Sequence, residues 1–230
     1  MTTGPLTGAS WSRARALRLV EARTTAPRTV DITGYIDRVS AHCPYLAPSL
    51  RHGLTAWTVY EIASSDPESV EAGLFHAGVQ AAEWVRPLAA RPRGALVCEN
   101  VVILGDVQGV EHRELMAWPH WALKNLYGPV GVMFGKFQGG EQRLDRSSRP
   151  IPPPPCSFLP VRPAVRARDP QFLKDTPDLA DALSVAVDDG SDVLERISHD
   201  WQAVKAWSRS LPVPRKPSQP RKPPAAALST

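Results

Sequence analysis

The sequence predicts an α+β protein with an α/β-like start: a mixed four-stranded sheet covered by helices, in the element order β-α-β-α-β-β-α-α. Three observations predict it. In the first half, short β-branched and aromatic runs alternate with stretches of helical periodicity. Two strands then follow one another with no helix between them, which suits a hairpin. The chain closes on two segments that each begin with a helix-capping residue.

The elements follow in order. Ala56–Ile62 alternates bulky and β-branched residues and reads as the first strand. Ser65-Asp66-Pro67-Glu68 offers a cap, a first-turn proline and an early acid, so a helix starts there. Val70, Leu74, Ala77, Ala81, Val85 and Leu88 recur at steps of three and four along it, until Arg91-Pro-Arg-Gly ends it. Ala95–Leu104 is an apolar run with Glu99-Asn100 inside, read as a buried strand. Val110–Tyr127 is helical, with Pro119 either kinking it or opening a second helix in its first turn. Gly128-Pro129 stops it, and Val130–Phe137 is the third strand. A long loop through Gly139-Gly140 and residues 147–155 leads to a fourth strand, Cys156–Arg166. Pro160 and Pro163 within it predict an edge or bulged strand. Thr176-Pro177 opens a helix carrying Leu179, Leu183 and Val187 and ending at Gly190. Ser191 opens the last, with Leu194, Ile197, Trp201 and Val204 along one face.

Charge divides the 230 residues into three parts. Residues 1–28 carry five arginines against Glu21, and residues 212–230 carry Arg215, Lys216, Arg221 and Lys222 with no acid, so each end holds +4. The net +4 of the whole leaves the part between them at −4. A basic stripe on the folded part is the footprint of a nucleic-acid binder, and here the folded part is acidic, so nucleic acid is not the expected partner. We read residues 1–29 as a frayed basic segment, with a short helix at Trp11–Arg23, and 30–211 as one α/β domain. Residues 212–230 read as a disordered tail. Six prolines among residues 212–224 leave the tail no apolar face to bury, though it offers a docking segment for a protein partner. No apolar run approaches the roughly 20 residues of a membrane helix. Three cysteines without an export signal suit the cytoplasm.

Chemistry is sparsely marked. The six histidines show no metal-ligand spacing, so no metal is expected. There is no nucleophile elbow of the Gly-x-Ser-x-Gly kind and no phosphate-cradling glycine loop. His42-Cys43-Pro44-Tyr45 sets a thiol beside an imidazole that can lower its pKa, which makes Cys43 a candidate. On the third strand Gly131, Met133 and Gly135 share a face and leave a trough, while Lys136 lies on the other face. Arg143, Arg146 and Arg149 fall in the long loop, and Arg162 and Arg166 share a face of the fourth strand. A hairpin of strands three and four would bring Lys136 near Arg162 or Arg166. Long cations brought together call for an anion, most simply a carboxylate.

Cys43-Pro44-Tyr45, Leu123-Lys124, Gly131-Val-Met-Phe-Gly-Lys-Phe, Arg149-Pro150, Arg162 and Asp169-x-x-Phe-Leu173 together resemble an actinobacterial domain family of unknown function, over about residues 40–185. Its members often sit among biosynthetic genes, and it is loosely similar to the YqcI/YcgG family, which includes haem-dependent N-oxygenases. The resemblance implies a histidine after the Gly-Glu-Phe element and another after the strand-four arginine. Gln138 and Pro163 stand there, so haem is not expected and the cofactor, if any, is unknown.

These readings converge on a small-molecule enzyme or ligand-binding protein of specialised metabolism. Its anion pocket would be built from Lys136, Arg162, Arg166, Gly131, Gly135, Met133 and Cys43. The alternatives are an interaction protein that uses its basic tails on an acidic partner, and an oxygenase-like protein that has lost its haem ligands.

Overall fold

A computed structural model describes residues 32–212 apart from Arg146. The expectations for the basic N-terminal segment, for Arg146 and for the tail beyond residue 212 lie outside the described residues. Helices α1 (Thr33–Val39) and α2 (Leu46–Arg51) precede strand β1 (Thr55–Glu61). Helix α3 (Pro67–Ala89) crosses to β2 (Cys98–Leu104). Helices α4 (His112–Leu115) and α5 (Ala117–Tyr127) lead to β3 (Val132–Phe134). A two-residue ribbon, β4 (Arg143–Leu144) and β5 (Pro150–Ile151), precedes β6 (Ser157–Pro163). Helices α6 (Pro177–Ser184) and α7 (Trp201–Ser210) complete the described fold.

The main sheet runs β1-β2-β6-β3. Strands β1 and β2 are parallel, joined by α3, and β6 is antiparallel to both its neighbours. This is the mixed sheet covered by helices that the sequence predicts. Helix α3 begins where the motif says: the Asp66 carboxylate accepts from the Glu68 and Ser69 amides, ahead of Pro67. Pro119 stands in the first turn of α5, so it opens a helix instead of kinking one.

The sheet's two faces bury different partners. Val101, Ile103, Val132, Phe134, Leu159 and Val161 pack under α3, α5 and α7. On the other face Trp57, Val102 and Phe158 meet Ile32, Tyr35 and Ile36 of the α1 segment. Leu173, Leu179 and Leu183 of the α6 region close over Met133. Helices α3 and α5 cross closely: a Cβ on Gly78 would stand 2.3 Å from Leu123 Cδ1.

Several expectations are corrected. The fourth strand, β6, is interior, not an edge. Its two prolines are tolerated because each turns its missing N–H to a place where little pairing is lost. Pro163 lies past the last pair with β2, Glu99↔Val161. Pro160 faces Gly135, just beyond the end of β3. The Gly135 amide still donates to the Pro160 carbonyl at 2.8 Å, and Phe137 and Phe158 exchange both bonds further on. Only the reciprocal bond from Pro160 is missing, so the third strand pairs out to Phe137 as expected but with a gap. The segment around Cys43 is the turn between α1 and α2. Gly94–Leu96 is a 3-10 turn ahead of β2, since Arg93 in the left-handed region breaks the run. Helix α6 ends at Ser184, and Val187, expected on its buried face, is 68% exposed. The last helix starts at Trp201, capped by Asp200, because the Asp188, Asp189 and Asp192 side chains take the Gly190, Ser191 and Leu194 N–H groups and keep that stretch out of a helix. Among the described residues no helix is long and apolar enough to cross a membrane.

Candidate functional site

Helix α5 presents Trp118, Trp121 and Lys124 beside Lys136, which follows β3 on the same side of the sheet. With Phe172 and Thr176 opposite, they line an open cleft of about 420 Å³. Arg209 of α7 lies at its rim with the guanidinium 5.6 Å from the Trp118 ring centre. The indole of Trp121 donates to the Ser208 carbonyl at 3.1 Å, which ties α5 to α7.

The two lysines define the electrostatics. Among the described residues Lys205 is ion-paired to Glu68 and Glu71, whereas Lys124 and Lys136 have no carboxylate within ion-pair distance. Asp175 lines the same cleft without reaching either ammonium. Burial holds Lys124 below the ordinary lysine range, and the Lys136 charge adds to this. Burial likewise lowers Lys136, with Arg113 and Arg143 adding repulsion and Glu141 opposing. One turn before Lys124, His120 is half-buried on the cleft wall, and desolvation pushes it down to about 3, with both lysines adding. Its Nε2 lies 3.3 Å from the Phe134 carbonyl, which can only accept, so Nε2 carries the proton and Nδ1 is bare. The cleft therefore offers two ammonium groups, a neutral imidazole and aromatic walls. Chemically, such an arrangement is complementary to an anion with a flat apolar body.

The structure does not bring the seven sequence-derived candidates together. Lys136 stands in the cleft just described. Arg162 and Cys43 share a different one of about 340 Å³, between the α1–α2 turn and the start of β2. Arg162 lies on the opposite face of the sheet from Lys136, paired across the ladder with Met133. Its guanidinium makes two bonds, 2.7 and 2.9 Å, to buried Asp169. Arg166 is exposed beyond the end of β6. Met133 packs against the α6 cluster. Gly131 takes a left-handed turn, φ +79°, and a Cβ on Gly135 would stand 2.7 Å from the Pro160 ring, so chain geometry requires both glycines. Burial pushes the thiol of Cys98, in the cleft with Cys43, up to about 12, with Arg162 opposing. His42 is bound to Asp145 at 3.0 Å, and Asp145 also holds Arg149. Gln138 bonds to Glu111, and Pro163 is buried opposite Val132, so neither place supplies an imidazole.

Sequence reasoning missed Lys124 and His120 as site residues. Their signal is on α5, where His120 and Lys124 are four apart and Trp121 lies between them, so one helical stripe mixes aromatic and titratable groups.

Fold and cleft together define an α+β protein with a cationic, aromatic-walled cleft outside its mixed sheet. Residues 33–190 match the family described as a domain of unknown function, DUF6875, and the chain belongs to that family. Comparison with curated proteins and with solved structures returned no match.

Proposed function

We propose that the chain is a small-molecule binding protein or enzyme of specialised metabolism. Its ligand is an anion, a carboxylate on a flat apolar body, held between Lys124 and Lys136. One observation carries the reading: two partly buried ammonium groups share an aromatic cleft, and among the described residues neither has a carboxylate within ion-pair distance. Like charges held out of water destabilise the fold unless something neutralises them, and a bound carboxylate does so while the tryptophans cover its apolar part. The reading includes the sequence-derived likeness to actinobacterial proteins and to the YqcI/YcgG family, and a cytoplasmic location.

The test is a thermal-shift and calorimetric panel of benzoate, indole-3-acetate and phosphate, with benzamide as the neutral control at matched ionic strength. The aromatic carboxylates are expected to raise the melting temperature and benzamide is not. Lys124→Met and Lys136→Met are each expected to abolish the shift. Binding is expected to take up protons, because the anion restores both lysines toward their ordinary range. If no aromatic carboxylate stabilises the protein more than chloride does, the reading is wrong.

A further inference from the structure

A second constellation lies away from the cationic cleft. The loop after β2 turns over the carboxyl ends of the two parallel strands, where open α/β sheets place their ligands. A cleft of about 550 Å³ forms there, walled by Asp106, Glu111 and Gln138, with His112 and Ser157 also lining it. Ser157 opens β6 and is only 2% exposed.

The hydrogen bonds fix where each proton sits. His112 Nε2 lies 2.8 Å from the Gly105 carbonyl oxygen and 3.4 Å from Asp106 Oδ1. A carbonyl oxygen can only accept, so Nε2 carries the proton, and in the neutral ring Nδ1 is a bare lone pair. Ser157 Oγ lies 2.9 Å from that Nδ1 and therefore donates to it. The Gly139 amide donates to the same Oγ at 3.0 Å. A hydroxyl that donates to an imidazole and accepts from a backbone N–H has the polarity of a nucleophile before its general base. Ionisation is helped on both sides, by Gly139 at the oxygen and by Gly105 and Asp106 at the imidazolium.

We infer that Ser157 is an acyl-accepting nucleophile with His112 as its general base, acting on a small uncharged or cationic ester or thioester. The acidic walls, Asp106 and Glu111, disfavour an anionic substrate, and the low exposure of Ser157 admits only a small acyl group. In the first half-reaction Oγ bonds to the acyl carbon and its proton passes to His112 Nδ1. The bond to the leaving alcohol or thiol then breaks, and the leaving group takes that proton. In the second half, water adds to the acyl carbon and gives a proton to Nδ1. The Oγ–acyl bond breaks, Oγ recovers the proton, and the carboxylic acid departs. A purely structural pair, fastening the loop to β6, would show the same distances but no reactivity.

The full chain is to be treated with methanesulfonyl fluoride, a reagent small enough for the site, and followed by intact mass and peptide mapping. A single adduct on Ser157 is expected, absent in Ser157→Ala. His112→Gln, checked for folding by its melting curve, is expected to slow labelling about 100-fold or more. Failure to label Ser157 in the folded wild-type chain, under conditions that fully modify a control serine protease, overturns the proposal. So does a labelling rate unchanged in a folded His112→Gln variant.

Discussion

Asp169→Asn tests how Arg162 is held. The two guanidinium bonds to Asp169 are joined by a third, from the Val165 amide at 2.6 Å, and the aspartate is 2% exposed. Removing the carboxylate charge strands Arg162 on the wall of its cleft. Breaking a buried pair by deleting one partner costs about 3–5 kcal/mol. The Arg162 side chain keeps 29% of its exposure, so water recovers part of the loss and the expected value is at the low end, about 3 kcal/mol. Against a total stability of about 5–15 kcal/mol this is a large fraction. At about 2–4 °C per kcal/mol for a chain of this size, the melting temperature should fall by about 10 °C. Urea unfolding gives the value directly, as a lower midpoint at unchanged slope. Because an apolar pair substitutes well for a buried ion pair, Arg162→Met with Asp169→Leu should recover most of the loss. A loss below about 1 kcal/mol in Asp169→Asn, or single and double variants that simply add, would refute the account.

Other perturbations follow from the same geometry. His120 is protonated more readily in the unfolded chain than in the fold, so stability is expected to fall as pH drops from about 6.5 toward about 3, and His120→Gln should flatten that slope in acid unfolding. For Lys124 and Lys136 the sign is the same, in a higher pH window. Their lowered pKa values destabilise the charged fold at neutral pH and release it as pH rises toward the free-lysine value. Lys136→Met should therefore be at least as stable as the wild type at pH 7, with the difference shrinking near pH 10. Gly78→Ala gains up to about 1 kcal/mol of helix propensity but pushes into buried Leu123, for a net loss of about 1–3 kcal/mol in urea titration.

The parts of the fold legible in sequence are those where one local signal decides. The Asp66-Pro67 start of α3 and the β-branched first strand carried their own chemistry and appear where expected, and of the two readings of Pro119 the structure takes the helix start. Strand order was not local information. Pro160 marked β6 as an edge, and only the end of β3 at Phe134 makes an interior place tolerable. The aspartates at 188, 189 and 192 outcompeted a helix through short backbone bonds that periodicity does not register. Lys136 could be nominated from the strand pattern. Its neighbour Lys124 could not, because the contact of α5 with the end of β3 is tertiary. Arg162 looked available until the chain folded Asp169 back onto it.

The close approach of Gly135 to Pro160 has a consequence for how this sequence can drift. A side chain at 135 collides with the ring at 160, while a smaller residue at 160 would both make room and restore the absent N–H donor opposite the Gly135 carbonyl. The two positions thus form one heritable unit. Glycine at 135 is obligatory while proline occupies 160, and it is released once that proline is gone. Among relatives the pair should change together, with proline at 160 accompanied by glycine at 135. A chain that has lost Pro160 would gain an unbroken ladder out to Phe137, and with it a stiffer base beneath Lys136.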